Sequence, residues 1–241
     1  RGDMSSGGDR SQSGDDNLGL TPAVGCLKLA SLRPPVSAEL DRARARGRVP
    51  SGPGEPSRFP GEPPIFVGSS GHAADIKLLQ RLQIGAVLNC APSVCKDPKK
   101  AYAAAGIAYA EVNARDDRSF PLLKVCLPQA STFIAKSHAA GRAVLVHCMA
   151  GVNRSATLAL AHLLLRDRRN LFEVFAECIA ARPSILQNAS FQLQLCELAA
   201  GHGLLLDSSQ PTVIPHGHAS PEAVSIAATR VPTRNGQAGL P

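Results

Sequence analysis

Large apolar side chains crowd into the middle of this 241-residue chain, where two periods alternate. Short β-rich runs read as strands: "IFVGSS" at 65–70, "AVLNCA" at 86–91, "IAYAEV" at 107–112 and "AVLVH" at 143–147, the most apolar of them. Between them lie segments of helical period. In "AADIKLLQRLQIG" Ile76, Leu79 and Leu82 share one face, and Gly85 is expected to stop the helix. "KDPKKAYAAAGI" reads as a turn and a helix, and "NARDDRSFP" as a polar loop. A helix is expected over 122–141, closed by Gly141, with Pro128 either kinking it or moving its start. Three more helices follow, at about 154–166, 171–181 and 188–200, with Asn188 as N-cap of the last. Strands alternating with helices, then a cluster of helices, predict an α/β fold. Its central, mostly parallel sheet is flanked by helices.

The flanks differ in kind. Residues 1–59 and 206–241 are rich in Gly, Pro, Ser and Arg and poor in large apolar side chains, so they are expected to be disordered tails around one domain at about 60–205. "GRVPSGPGEPSRFPGEPP", at 47–64, holds six prolines and four glycines and reads as a linker rather than an element. The basic cluster "RARARGR" at 42–48 reads as a solvated stretch of the tail, with a nuclear import signal as the alternative. "LKLASLRP" at 27–34 reads as incidental apolar residues, with a short docking segment as the alternative.

Of the formal net charge of +7, the tails carry +2 and 0 and the domain +5. That suits an anionic substrate. The basic residues are scattered and aromatics are few, which does not argue for nucleic acid. Seven cysteines without a CxxC spacing, no secretory leader and no apolar run of bilayer length point to a reducing, cytosolic or nuclear setting, without a membrane partner. The chain begins at Arg1 rather than Met, which leaves an upstream targeting signal open.

The chemistry sits in "HCMAGVNRS", at 147–155, between the most apolar strand and a helix. Successive backbone N–H groups at such a junction form an anion site, and the helix N-terminus adds partial positive charge. Gly151 lets the backbone curve without a Cβ. The planar fork of Arg154 can hold two phosphate oxygens. Cys148 beneath that anion would be a thiolate, a nucleophile on phosphorus.

His-Cys-x5-Arg-Ser resembles the signature of cysteine-dependent protein phosphatases, and its "RSAT" ending resembles the dual-specificity branch. The resemblance covers roughly 60–205, including "IFVGS", "VLNCA", the acidic loop and "ARPSILQNASFQLQL". It implies a single small dual-specificity-phosphatase-like domain. It implies hydrolysis of phosphotyrosine and phosphoserine or phosphothreonine in a protein substrate, through a phosphocysteine, with no cofactor and no metal. Cys148 would be the nucleophile. Met149, Ala150, Gly151, Val152, Asn153 and Arg154 would bind the phosphate. Ser155 would stabilise the departing thiolate, and His147 would orient the loop or simply be a buried structural histidine. Asp116, 32 residues before Cys148, would be the general acid and base, with Asp117 as rival. Cys90 would be a reversible disulfide partner of Cys148, or else plain packing, with Cys95 as substitute. No tryptophan is present, so the Trp-Pro-Asp loop of tyrosine-only relatives is missing. No lysine fills the 149–153 stretch, which counts against a lipid substrate. An RNA 5′-phosphatase and a phosphoprotein-binding pseudophosphatase are the alternative readings; oligomeric state is open.

Overall fold

The structure, a computed structural model, describes residues 20–33 and 54–206. Much of both expected tails, with the basic cluster at 42–48, lies outside the described residues. The sheet has five strands: β1 (Ser57–Phe59), β2 (Ile65–Gly68), β3 (Ile84–Asn89), β4 (Ala108–Glu111) and β5 (Ala143–His147), in the order β1-β2-β5-β3-β4. All neighbours are parallel except the β1–β2 edge pair. β5 lies in the middle, with Gly68 of β2 and Asn89 of β3 both opposite His147.

Alternation along these strands divides the core into two layers. Val67, Leu88, Val144 and Val146 face one side. There they meet helices α5 (Leu122–Ala139), α6 (Arg154–Asp167), α7 (Leu171–Ala181) and α8 (Ala189–Gly201). Phe66, Val87 and Leu145 face the other side and meet the short helices α2 (Ser70–Ala74), α3 (Ile76–Arg81) and α4 (Lys99–Ala104). α6 is buried almost all round, from Ser155 to Leu164, because it runs between the sheet and the helices packed around it.

The predicted helix after β2 divides at Asp75, whose carboxylate accepts from Leu78 N–H (2.9 Å) and so starts α3. Gly85 does not stop it. The chain turns at Gln83, which takes a left-handed φ of 56°, and Gly85 already belongs to β3. α5 runs through Pro128, which lies on the exposed face where solvent can replace the lost hydrogen bond. Gly141 follows α5 with a φ of +70°.

Two departures concern the segment expected to be a tail without structure. The linker reading of 47–64 fails at Ser57–Phe59, which pairs antiparallel with β2 as an edge strand and buries Phe59. The stretch around 27–34 is not made of incidental apolar residues, since part of it is helical and buried. A helix, α1 (Pro22–Ser31), is capped by Thr21, starts on Pro22, and packs on α8 with Leu29 buried. Close approach is possible because Gly25 lacks a Cβ: one built there would stand 3.0 Å from Cys196 Sγ and 3.1 Å from a Leu205 methyl. The sequence pattern misses α1 because its apolar face is short and Leu27 points outward.

Gly25→Val should therefore overfill the α1–α8 seam and cost about 1–3 kcal/mol. Urea unfolding checks this; an unchanged midpoint would mean that α1 contributes nothing to the domain.

Candidate active site

β5 ends at His147, and the next eight residues carry the motif. Cys148 is 2% exposed, at the floor of the loop that leads into α6. The walls are fixed from outside. The carbonyl of Met149 accepts from Ser70 N–H (3.2 Å), that of Ala150 from Arg182 Nη2 (3.0 Å), that of Gly151 from Arg182 Nε (2.8 Å) and that of Val152 from Leu186 N–H (2.8 Å). In a trans peptide the C=O and the following N–H point in opposite directions. Four carbonyls held outward thus turn the N–H groups of Ala150, Gly151, Val152 and Asn153 inward. Gly151 makes the bend at a φ of +69°, where a Cβ would lie 2.5 Å from Gly68 O.

This arrangement sets the ionisation of Cys148. Burial alone would raise its pKa. It is outweighed by the Ser155 hydroxyl, the Ser155 N–H, the charge of Arg154 and the Gly151 N–H, which together bring the thiol below its ordinary value. Ser155 Oγ lies 3.3 Å from the sulfur. Arg154 is the first residue of α6, and its Nε is buried without a hydrogen-bond partner among the described residues, 3.8 Å from Asp116 Oδ2.

Asp116 and Asp117 are separated by their surroundings. Asp116 turns toward the loop, where Asn153 Nδ2 (3.2 and 3.1 Å) and Asn188 Nδ2 (3.1 Å) donate to its carboxylate. Asp117 turns to its own backbone. The N–H and hydroxyl of Ser119 bind it at 2.7 and 2.8 Å and lower its pKa, and it is fully exposed.

His147 is wholly buried, with Nε2 2.8 Å from Asp97 Oδ2 and Nδ1 3.4 Å from Cys148 O. Asp97 also accepts from Tyr109 OH (3.0 Å), so the histidine ring is held from the β4 side of the sheet. Cys90 directly follows β3, and its N–H donates to His147 O (2.8 Å). Burial first, and then Cys148, push the Cys90 thiol well above its ordinary pKa; the same two causes raise Cys95.

Sequence reasoning missed Asp97, Arg182 and the side-chain role of Asn153. "KDPKK" looks like any polar turn. Arg182 lies 31 residues beyond the carbonyl it holds. Asn188 was legible only as a helix cap, which it is: its side chain accepts from Ser190 N–H (3.0 Å).

A mostly parallel sheet carries a cysteine and an arginine around an inward-facing ring of N–H groups, at the start of a buried helix, in an α/β domain. The chain belongs to the dual specificity phosphatase family, whose catalytic-domain profile matches residues 65–200. It is 38% identical over 138 residues to dual specificity protein phosphatase 26 of Bos taurus, covering 56% of this chain and 64% of that one. It is 34% identical over 131 residues to dual specificity protein phosphatase Mpk3 of Drosophila melanogaster, covering 54% of this chain and 31% of that one. The match thus spans about a third to two thirds of those relatives. The crystal structure of human DUSP28 superposes with a TM-score of 0.51 at 27% identity, over 57% of this chain and 92% of that one.

Alkylation of Cys148 by iodoacetate should follow a titration with its midpoint below about 8.5, the free-thiol value. The thiolate is the reactive form, so a lowered pKa moves the rise in rate to lower pH. Ser155→Ala should move it back up, and Gly151→Ala should abolish protection by inorganic phosphate. A midpoint unmoved in Ser155→Ala would remove Ser155 from the ionisation of Cys148.

Proposed function

We propose that the domain hydrolyses phosphate monoesters on protein tyrosine and on serine or threonine through a phosphocysteine. The observation that carries this reading is the placement of Cys148 at the buried floor of a ring of inward N–H groups, beside Arg154, whose Nε is buried and has no hydrogen-bond partner among the described residues. The Cys148 thiolate attacks phosphorus. The N–H groups and the Arg154 fork hold the three non-bridging oxygens as charge builds. Asp116 gives its proton to the leaving oxygen, then takes one from the water that cleaves the phosphocysteine. Ser155 Oγ stabilises the sulfur as it leaves in that second step. His147, clamped by Asp97, fixes the strand end from which the loop springs.

The substrate class is supported by family membership and by the 149–153 stretch, which offers no cationic side chain to a second phosphate. Purified protein tested on phosphopeptides, phosphoinositides and 5′-triphosphate RNA should release phosphate fastest from phosphopeptides. Binding without turnover would favour a phosphoprotein-binding module instead. We further propose Cys90, whose N–H donates to the carbonyl of His147 next to the nucleophile, as the disulfide partner: peroxide oxidises the Cys148 thiolate to a sulfenic acid, the Cys90 thiol attacks that sulfur, and water leaves. Peptide mapping after mild peroxide should show a linkage between 90 and 148, with activity restored by reductant.

Cys148→Ser should show essentially no turnover, because a serine hydroxyl is not ionised at neutral pH. Arg154→Lys keeps the charge but loses the fork, so kcat should fall about 100- to 1000-fold. Asp116→Asn should slow phenyl phosphate far more than an ester with an activated leaving group, which needs little protonation. Equal losses on both esters would clear Asp116 of that role.

A further inference from the structure

Asn153 occupies the N-cap position of α6 but makes no side-chain cap hydrogen bond. Its amide is used elsewhere. Oδ1 accepts from Gln187 N–H (2.8 Å) and Asn188 N–H (3.0 Å). Those two donors fix which way the amide faces, since only its oxygen can receive them. The nitrogen is left to face Asp116, where it reaches both carboxylate oxygens (3.2 and 3.1 Å). The backbone of Asn153 is held separately: its carbonyl accepts from Thr157 N–H (2.9 Å) and Thr157 Oγ1 (2.7 Å), which keeps the residue on α6. One side chain thus ties together the phosphate loop, the 182–188 segment and the loop that carries Asp116.

The two oxygens of Asp116 are not equivalent. Oδ1 takes hydrogen bonds from two amides, Asn153 and Asn188. Oδ2 takes one, from Asn153, and is the oxygen 3.8 Å from Arg154 Nε. Oδ1 is the anchored atom. Oδ2 keeps a free lone pair for a proton and faces the guanidinium that would hold the phosphate. Asn188 is itself immobilised, because its own oxygen caps α8. The carboxylate therefore rests on two amides, each locked by backbone N–H groups.

We infer that Asn153 is a positioning residue for the general acid: it holds Asp116 with Oδ2 toward the ester oxygen, and it acts on the rate through Asp116. The inference rests on the proposed assignment of Asp116 as acid. It predicts a dependence on the leaving group that a merely structural asparagine would not show. A misplaced acid costs most where the leaving oxygen most needs a proton.

The test compares phenyl phosphate with an activated fluorinated aryl phosphate in wild type, Asn153→Ala, Asn153→Ser, Asp116→Asn and the double variant Asn153→Ala/Asp116→Asn. In Asn153→Ala the ratio of activated to phenyl rates should rise about tenfold, part of the 10²–10⁴ that a positioned acid supplies. Asn153→Ser has no amide nitrogen, and its hydroxyl is suited to the N-cap position of α6 that Asn153 occupies. It should show the same rise while preserving the melting temperature, which separates loss of positioning from loss of folding. In the Asp116→Asn background, adding Asn153→Ala should change the ratio less than about twofold, since the acid it positions is already gone. A slow Asp116→Asn together with an unchanged ratio in both Asn153 variants, or additive effects in the double variant, overturns the role of Asn153 and leaves Asp116 as acid. A ratio unchanged in Asp116→Asn itself overturns the assignment of the acid, and the role of Asn153 with it.

Discussion

The outward carbonyls of Met149 to Val152 are the constraint on which this end of the sheet depends. An inward ring of N–H groups is unstable on its own, because each peptide brings a carbonyl that also needs a partner. Here the partners come from three directions: Ser70 at the start of α2, Arg182 after α7, and Leu186 before α8. Arg182 alone serves two adjacent carbonyls through two nitrogens held at a fixed spacing in one planar guanidinium, whereas a lysine would bring all its donors to a single nitrogen. The left-handed bend at Gly151 rests directly on Gly68 of β2, so the strand order β2-β5-β3 fixes the height of the loop above the sheet.

The loop is therefore only as rigid as the 182–188 segment behind it. That segment is irregular, with Leu186 at a left-handed φ of 56°. It is tied forward by Leu186 N–H to Val152 O and by Gln187 and Asn188 N–H to Asn153 Oδ1. It is tied backward by Arg33, whose guanidinium donates to Ile185 O (2.8 Å) and Leu186 O and lies over the Phe175 ring. Arg33 follows α1. α1 thus does more than cover α8, because the residue that follows it braces the backbone that supports the 148–153 loop.

What the sequence made legible follows from range. The four parallel strands and the helices at 154–167, 171–181 and 189–201 were readable because apolar periodicity is a local signal, strongest where burial is complete. The pairing of Cys148 with Arg154 in space was readable because both sit on one turn of one strand–helix junction. Choosing Asp116 over Asp117 was not settled by spacing, since adjacent residues differ only in what the folded chain brings to them. Asp97, Arg182 and Asn153 act across 50, 31 and 37 residues respectively, through hydrogen bonds that leave no periodic trace. α1 was hidden for another reason. Its apolar face is short, and its docking depends on the absence of a side chain at Gly25, which no apolar period reports.

The cysteines supply a comparison of environments within one molecule. Cys90, Cys95, Cys126, Cys178 and Cys196 are all raised in pKa, with burial the leading cause in each. Cys148 is buried as deeply as Cys90 and Cys178, yet it moves the other way. Depth therefore does not decide whether a thiol in this domain ionises. The difference is the start of α6: Ser155 gives a hydroxyl and an N–H, Gly151 another N–H, and Arg154 a full charge, all converging on one sulfur. Desolvation opposes ionisation at Cys148 as it does at the other five, but in a dry site those donors and that charge act on the sulfur with little screening, and together they outweigh it. The buried α6 and the tethered carbonyls make a single device, in which one element excludes water and the other supplies the dipoles that replace it.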